Sequence, residues 1–217
     1  MTKIIRLLIL VLAFNLSLPL VANPLAVNYY KERAYKGDAD AQTNLAILYY
    51  KGEGVEKDYV EAVKWYHKAA EQGHAFAQCQ LAMHYYKGEG VDKDYVEAAK
   101  WYHKAAEQGN VVAQGNLANC YHTGEGVNKD YVEAAKWNRE AAANGHEMAL
   151  LRLGHYYAEG LGVEKDDVKA CSYYILAGII YPSNEKALEM RDELTKTLTP
   201  SQRSEAERRA FELKSKF

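Results

Sequence analysis

Carboxylates recur in this chain at a fixed spacing: Asp58 with Glu61, Asp94 with Glu97, and Asp130 with Glu133. Two acids three residues apart share one side of a helix, where they could act as general acid and base. Cys120 and His122 pose the question of a metal site, and the repeated "GEG" stretches that of a phosphate-cradling loop. Each has a plainer reading. The acid pairs recur with helix starts, so the aspartate is read as a cap that accepts first-turn amides, and the glutamate as reaching back to the cap amide. Lys169 stands in the glutamate's place in a fourth copy and weakens the cap at Asp166. Cys120 and His122, two residues apart on a helix, point in different directions. His67 and His103 fall at the same exposed position beside lysines, and no three ligands share a face, so no metal is expected. The "GEG" turns end helices instead of opening them, and no glycine-flanked serine elbow occurs. No catalytic residue and no cofactor is expected.

These residues sit in a unit that the chain repeats. Gly52 to Gly73 reads "GEGVEKDYVEAVKWYHKAAEQG", Gly88 to Gly109 "GEGVDKDYVEAAKWYHKAAEQG" and Gly124 to Gly145 "GEGVNKDYVEAAKWNREAAANG", with a worn copy beginning at Gly160. Catalysis rarely needs its groups in quadruplicate, whereas a stacked solenoid needs the same packing surface from every unit. Each copy reads as two helices. Ala41, Leu45 and Leu48, beside a row of Gln42, Ala46 and Tyr49, have the spacing of a packed helix face. Gly52 follows as a left-handed stop, and Val55 tucks an apolar side chain under the turn. On the second helix Ala62, Trp65, Tyr66, Ala69 and Ala70 form the buried face, with Trp65 filling the gap between layers. The repeats are placed at 39–74, 75–110, 111–146 and 147–182. Residues 23–38 match a second helix and form a capping half repeat, and 183–217 form a helical cap whose last helix opens at "TPSQ".

The chain of 217 residues has 27 Lys and Arg against 29 Asp and Glu, so the electrostatic footprint of nucleic-acid binding is missing. The segment "MTKIIRLLILVLAFNLSLPLVA" has a cationic start, an apolar run and a small residue at Ala22, and is read as a signal peptide over residues 1–22. A retained anchor is the competing reading, but Asn15 and Pro19 interrupt the run, which is short for the roughly 20 residues of a span. After cleavage no membrane span is expected. Cys79, Cys120 and Cys171 occupy different positions of their repeats and provide no disulfide framework; they are read as buried free thiols, although an oxidising compartment could join two of them.

The pattern "AxAQxxLAxxYxxGEGVxxDYxEAxKWYxxAAEQG" over four units closely resembles the Sel-one-like repeat (SLR) family, the longer-turn relative of the tetratricopeptide repeat. The resemblance implies an all-α fold, a right-handed α-solenoid of antiparallel helix pairs. It also implies an adaptor or scaffold in the bacterial envelope, exported and periplasmic more readily than extracellular. Ala46, Ala82 and Ala118 stand where the family often has glycine, and Tyr173 replaces the tryptophan of the fourth copy. A cysteine-rich secreted branch is linked to β-lactam binding or hydrolysis, but pairs cysteines inside each repeat, as this chain does not. A secreted hydrolase acting on β-lactam or cell-wall substrate is the alternative, and needs a converging nucleophile and base that the sequence does not offer.

If shared positions hold the stack together, the varying ones are candidates for contact with a partner. On the first helix these are positions 40, 43, 44, 47, 50 and 51, which share one side of the cylinder, the concave side in tetratricopeptide-like stacks. Reading across the repeats gives Asn44, Gln80, Asn116 and Arg152 at one level, then Ile47, Met83, Asn119 and His155, then Tyr50, Tyr86, His122 and Ala158. Carboxamides and a guanidinium in a row could bond the backbone of an extended peptide, while Met83 and the tyrosines accept its side chains. A protein or peptide partner is therefore expected on this face.

Overall fold

The computed structural model describes residues 24–215, and the leader-like segment 1–22 lies outside them. Among the described residues there are eleven α-helices and no strand. A single helix, α1 (Pro24–Tyr35), precedes four pairs: α2 (Ala39–Lys51) with α3 (Tyr59–Glu71), α4 (Ala75–Lys87) with α5 (Tyr95–Glu107), α6 (Val111–Thr123) with α7 (Tyr131–Ala143), and α8 (Glu147–Glu159) with α9 (Asp167–Ile180). Two helices follow, α10 (Glu185–Thr197) and α11 (Pro200–Lys214), and both pack on α9. From α1 to α10 each helix contacts the next, which makes the array an α-solenoid. No described helix is long and apolar enough to cross a membrane.

The turns show why the repeat carries the residues it does. Gly52, Gly88, Gly124 and Gly160 adopt left-handed backbone, and in the first of these the glycine amide donates to the Leu48 carbonyl at 2.8 Å. Asp58, Asp94, Asp130 and Asp166 cap the second helices, each accepting from the amide three residues on. The expected return contact from the glutamate does not form. The cap amides of Asp58, Asp94, Asp130 and Asp166 instead donate to the carbonyls of Tyr49, Tyr85, Tyr121 and Tyr157, each at 2.9 Å. With its target taken, Glu61 pairs with Lys64 at 2.5 Å, and Glu97 with Lys100 likewise. The cap at Asp166 is complete in the same way, and Lys169 lies 3.4 Å from its carboxylate.

The expected buried face of the second helix is buried throughout: Ala62, Trp65, Tyr66, Ala69 and Ala70 are at most 4% exposed. Units are joined by a glutamine ladder. Gln42, Gln78 and Gln114 are buried, and each donates to a carbonyl in the last turn of the preceding helix, those of Ala34, Ala70 and Ala106. Gln72 and Gln108 donate back to Gln42 and Gln78 at 2.7 Å. The shorter Asn144 turns to the Glu140 carbonyl, which leaves Gln114 Oε1 without a partner among the described residues.

Repeats also compensate in volume across their interface. Tyr66 packs on His84 of the next unit at 5.6 Å between rings. Asn138 takes the place of Tyr66 in the third repeat, and the large Tyr156 of the fourth lies beside it. His84 is 2% exposed, and its Nδ1 carries the proton because it lies 2.7 Å from the Glu89 carbonyl, an acceptor. Burial holds this imidazole below its usual value of 6.5, and does the same at His122 and His146. The folded state therefore favours the neutral ring, while the unfolded chain takes up protons near pH 6.5. The resulting contribution to stability is present above that pH and is lost as pH falls below it. Thermal melts should show the melting temperature declining between about pH 7 and 5. His84→Leu, which places the residue of Leu48 there, should reduce the decline; an equal decline in both proteins would contradict this origin.

Candidate functional site

The first helices of repeats two, three and four enclose a depression of about 240 Å³. Met83, Tyr86 and Lys87 enter it from α4, Asn116 and Asn119 from α6, Arg152 from α8, and Tyr102 from α5. The structure thus brings together five of the residues singled out by their variation: Met83, Tyr86, Asn116, Asn119 and Arg152.

Arg152 forms the firmest link across the site. Its Nη1 donates to the Gly115 carbonyl at 3.2 Å and its Nη2 to Asn119 Oδ1 at 2.9 Å. The guanidinium is half-buried, and burial lowers its affinity for the proton without removing the charge. Tyr86 donates its hydroxyl to Glu125 at 2.8 Å, a bond that, ahead of burial, pushes the phenol up to about 12. Its ring packs edge-on against Tyr95 at 5.1 Å.

The remaining candidates lie elsewhere. Asn44 turns its amide onto the Asp40 carbonyl of its own helix at 2.8 Å. Gln80 is half-buried on the same row outside the depression, and His155 is exposed. Tyr50 and His122 belong to an aromatic seam between units: Tyr50 meets Tyr59 at 5.4 Å and His84 at 5.6 Å, and His122 stacks on Tyr156 at 5.7 Å. His122 Nδ1 also lies 2.8 Å from the Tyr156 hydroxyl. Position 43, expected on the open side, is interior: Thr43 is 4% exposed, and Cys79 and Gly115 in its row are buried.

Sequence reasoning passed over two residues of the depression. Tyr102, the counterpart of Tyr66, lies on the packed face of α5 at 3% exposure, yet it also lines the opening. Lys87 lies in the varying row that starts at position 51 and continues to Thr123 and Glu159, yet no residue of that row is among the named candidates. The histidines expected to be merely exposed have partners: His67 covers Trp101 at 5.8 Å and His103 covers Trp137 at 5.7 Å, each from the preceding unit. Val60, Val96 and Val132 form an exposed row at the starts of the second helices, a recurrence visible in the sequence.

The other chemical readings find little support. All three cysteines are free and buried, and burial pushes Cys79 up to about 12 and Cys120 and Cys171 up to about 11. None is poised as a thiolate nucleophile. Among the described residues no three of His, Cys, Asp and Glu gather where they could hold a metal ion.

A family model described as Sel1 repeat, the Sel-one-like unit, matches residues 39–74, 75–110, 111–146 and 147–178. Among solved structures the chain is similar to c5321, described as a protective antigen present in uropathogenic Escherichia coli strains and displaying an SLR fold. The two are 38% identical with a TM-score of 0.79, over 88% of this chain and 41% of that one. It is also similar to a Sel1 repeat protein from Oxalobacter formigenes, at 33% identity and a TM-score of 0.65, over 82% of this chain and 87% of that one. The chain accordingly spans well under half the length of the first. No curated protein matches it.

Proposed function

The chain belongs to the Sel1 repeat family, and from that premise we propose that it is a noncatalytic scaffold holding a partner protein or peptide on the open face of its first helices. Sel1 repeats are protein-interaction modules, which supports the class. The observation that carries the surface is the meeting of Met83, Tyr86, Asn116, Asn119 and Arg152 in one depression. Residues repeated in every unit are consumed in caps, turns and packing, whereas these differ between units and line an opening.

The test is capture of partners from the native cell envelope by variants of the protein. Gln80, Met83 and Asn116 changed together to alanine should lower capture by about tenfold or more, since interface energy concentrates in few residues. Tyr86 is spared because its ring and hydroxyl also support the fold. Lys64 and Lys100 changed to alanine are the control, their exposed ion pairs with Glu61 and Glu97 adding little stability. Loss of capture in the control with full capture in the triple variant would place the surface elsewhere. A hydrolase reading has no observation in its favour.

Export to the bacterial envelope, with removal of residues 1–22, is part of the same proposal. It rests on the leader-like segment and gains support from the likeness to a protein described as a protective antigen. Removing Lys3 and Arg6 leaves 25 basic residues against 29 acidic ones. Intact-mass analysis after expression in a secreting bacterial host should find a chain beginning near Asn23; one beginning at Met1 counts against export.

A further inference from the structure

Arg152 differs from the arginines of this chain that make ion pairs. Arg33 meets Asp38, Arg191 meets Asp192, Arg208 meets Glu205 and Glu212, and Arg209 meets Glu205 and Asp166. Arg152 makes no ion pair among the described residues, although it is half-buried at the wall of the depression. Its two bonds go to neutral acceptors, the Gly115 carbonyl and Asn119 Oδ1. A guanidinium has five N–H donors, so the remaining three are available, and it is the side chain best suited to planar, two-pronged recognition of a carboxylate. A partly desolvated cation without a counter-charge is costly, and an incoming anion recovers that cost.

The surroundings fit one anionic group on an apolar stem. Lys87 adds a second cation at the opening, its nearest carboxylate, Glu89, being 4.0 Å away. Asn116 offers an amide, and Met83 and Tyr102 offer apolar wall. Glu125, beside the lining Tyr86, accepts from the hydroxyls of Tyr86 and Thr123. At about 240 Å³ the depression is smaller than the roughly 300–1,000 Å³ of small-molecule sites, and suits a single side chain or chain end.

We propose that this depression binds a carboxylate of a partner peptide, either a Glu or Asp side chain or the C-terminal group, with Arg152 as its anion partner. The inference rests on the reading that this face engages a peptide, and assigns the chemistry that the peptide must carry.

The test uses small probes, so that its result is independent of partner capture. Purified protein is titrated with N-acetyl-glutamate N-methylamide, its glutamine counterpart, and N-acetyl-alanine with a free carboxylate, while the side-chain amide signals of Asn116 and Asn119 are followed by NMR. Saturable shifts are expected with one or both carboxylates at millimolar concentration. The glutamine probe should bind about tenfold more weakly or worse, as charge-assisted bonds exceed neutral ones. The two carboxylate probes distinguish a side-chain source from a C-terminal one. Arg152→Gln should abolish the carboxylate preference, and Lys87→Gln, an exposed change that leaves packing intact, should weaken it. An unchanged backbone amide spectrum confirms that each variant is folded. Equal binding of the glutamine probe, preference surviving in Arg152→Gln, or no saturable shift with either carboxylate overturns the inference. The scaffold reading would then still stand on partner capture, which fails or succeeds separately.

Discussion

Truncating Trp101 to alanine should lower the free energy of unfolding by about 3–5 kcal/mol, the range for removing a large aromatic side chain from a core. Trp101 is 7% exposed and part of the core that runs through the first three repeats. Its ring is closed off by His67 of the preceding unit at 5.8 Å and by the Lys104 ammonium at 3.9 Å. Alanine would leave a void between two layers, and the neighbouring alanines, already in close contact, could not collapse far enough to fill it. Because a solenoid is stabilised by nearest-neighbour interfaces, the loss should also broaden the urea transition as the two halves of the stack begin to melt apart. A midpoint and slope equal to those of the parent protein would contradict the packing described.

The second large effect is expected at Gly126, the last glycine of the third "GEG". Its backbone is left-handed at φ 76°, and a Cβ placed there would overlap the Tyr95 carbonyl of the preceding unit. Gly90 approaches the Tyr59 carbonyl and Gly162 the Tyr131 carbonyl in the same way. Gly126→Ala therefore combines conformational strain with a backbone clash that no rotamer change relieves, and should cost roughly 2–5 kcal/mol. Gly109→Ala is the internal standard: its φ is 81° but nothing lies within 4 Å of the added carbon, so only the left-handed backbone is penalised, at about 1–2 kcal/mol. Equal losses in the two variants, measured by denaturant unfolding, would mean that the close approach between turn and helix carries no weight.

The helix pairs were legible because each unit spells out its own local rules: a left-handed glycine at Gly52, a cap at Asp58, and apolar residues at helical spacing from Ala62 to Ala70. What failed was whatever depended on a partner in another helix or another unit. Glu61 was expected to return to the Asp58 amide, but that amide had already found the Tyr49 carbonyl. His67 looked solvent-facing because its partner, Trp101, is thirty-odd residues downstream. The same limit shaped the candidate site. Variation between copies identified Met83, Tyr86, Asn116, Asn119 and Arg152, which converge, but equally identified Tyr50 and His122, whose rings are taken up by Tyr59 and Tyr156. Tyr102 was missed for the converse reason, since it serves the core and the opening together.

The central claim, that the face built by the first helices receives the partner, is tested most directly by hydrogen exchange on the protein with and without its captured partner. Protection should appear in α4, α6 and α8, around Met83, Asn116 and Arg152, and leave the outer sides of α3, α5 and α7 unchanged. Protection confined to α3, α5 and α7, with the first helices exchanging as in the free protein, would contradict it.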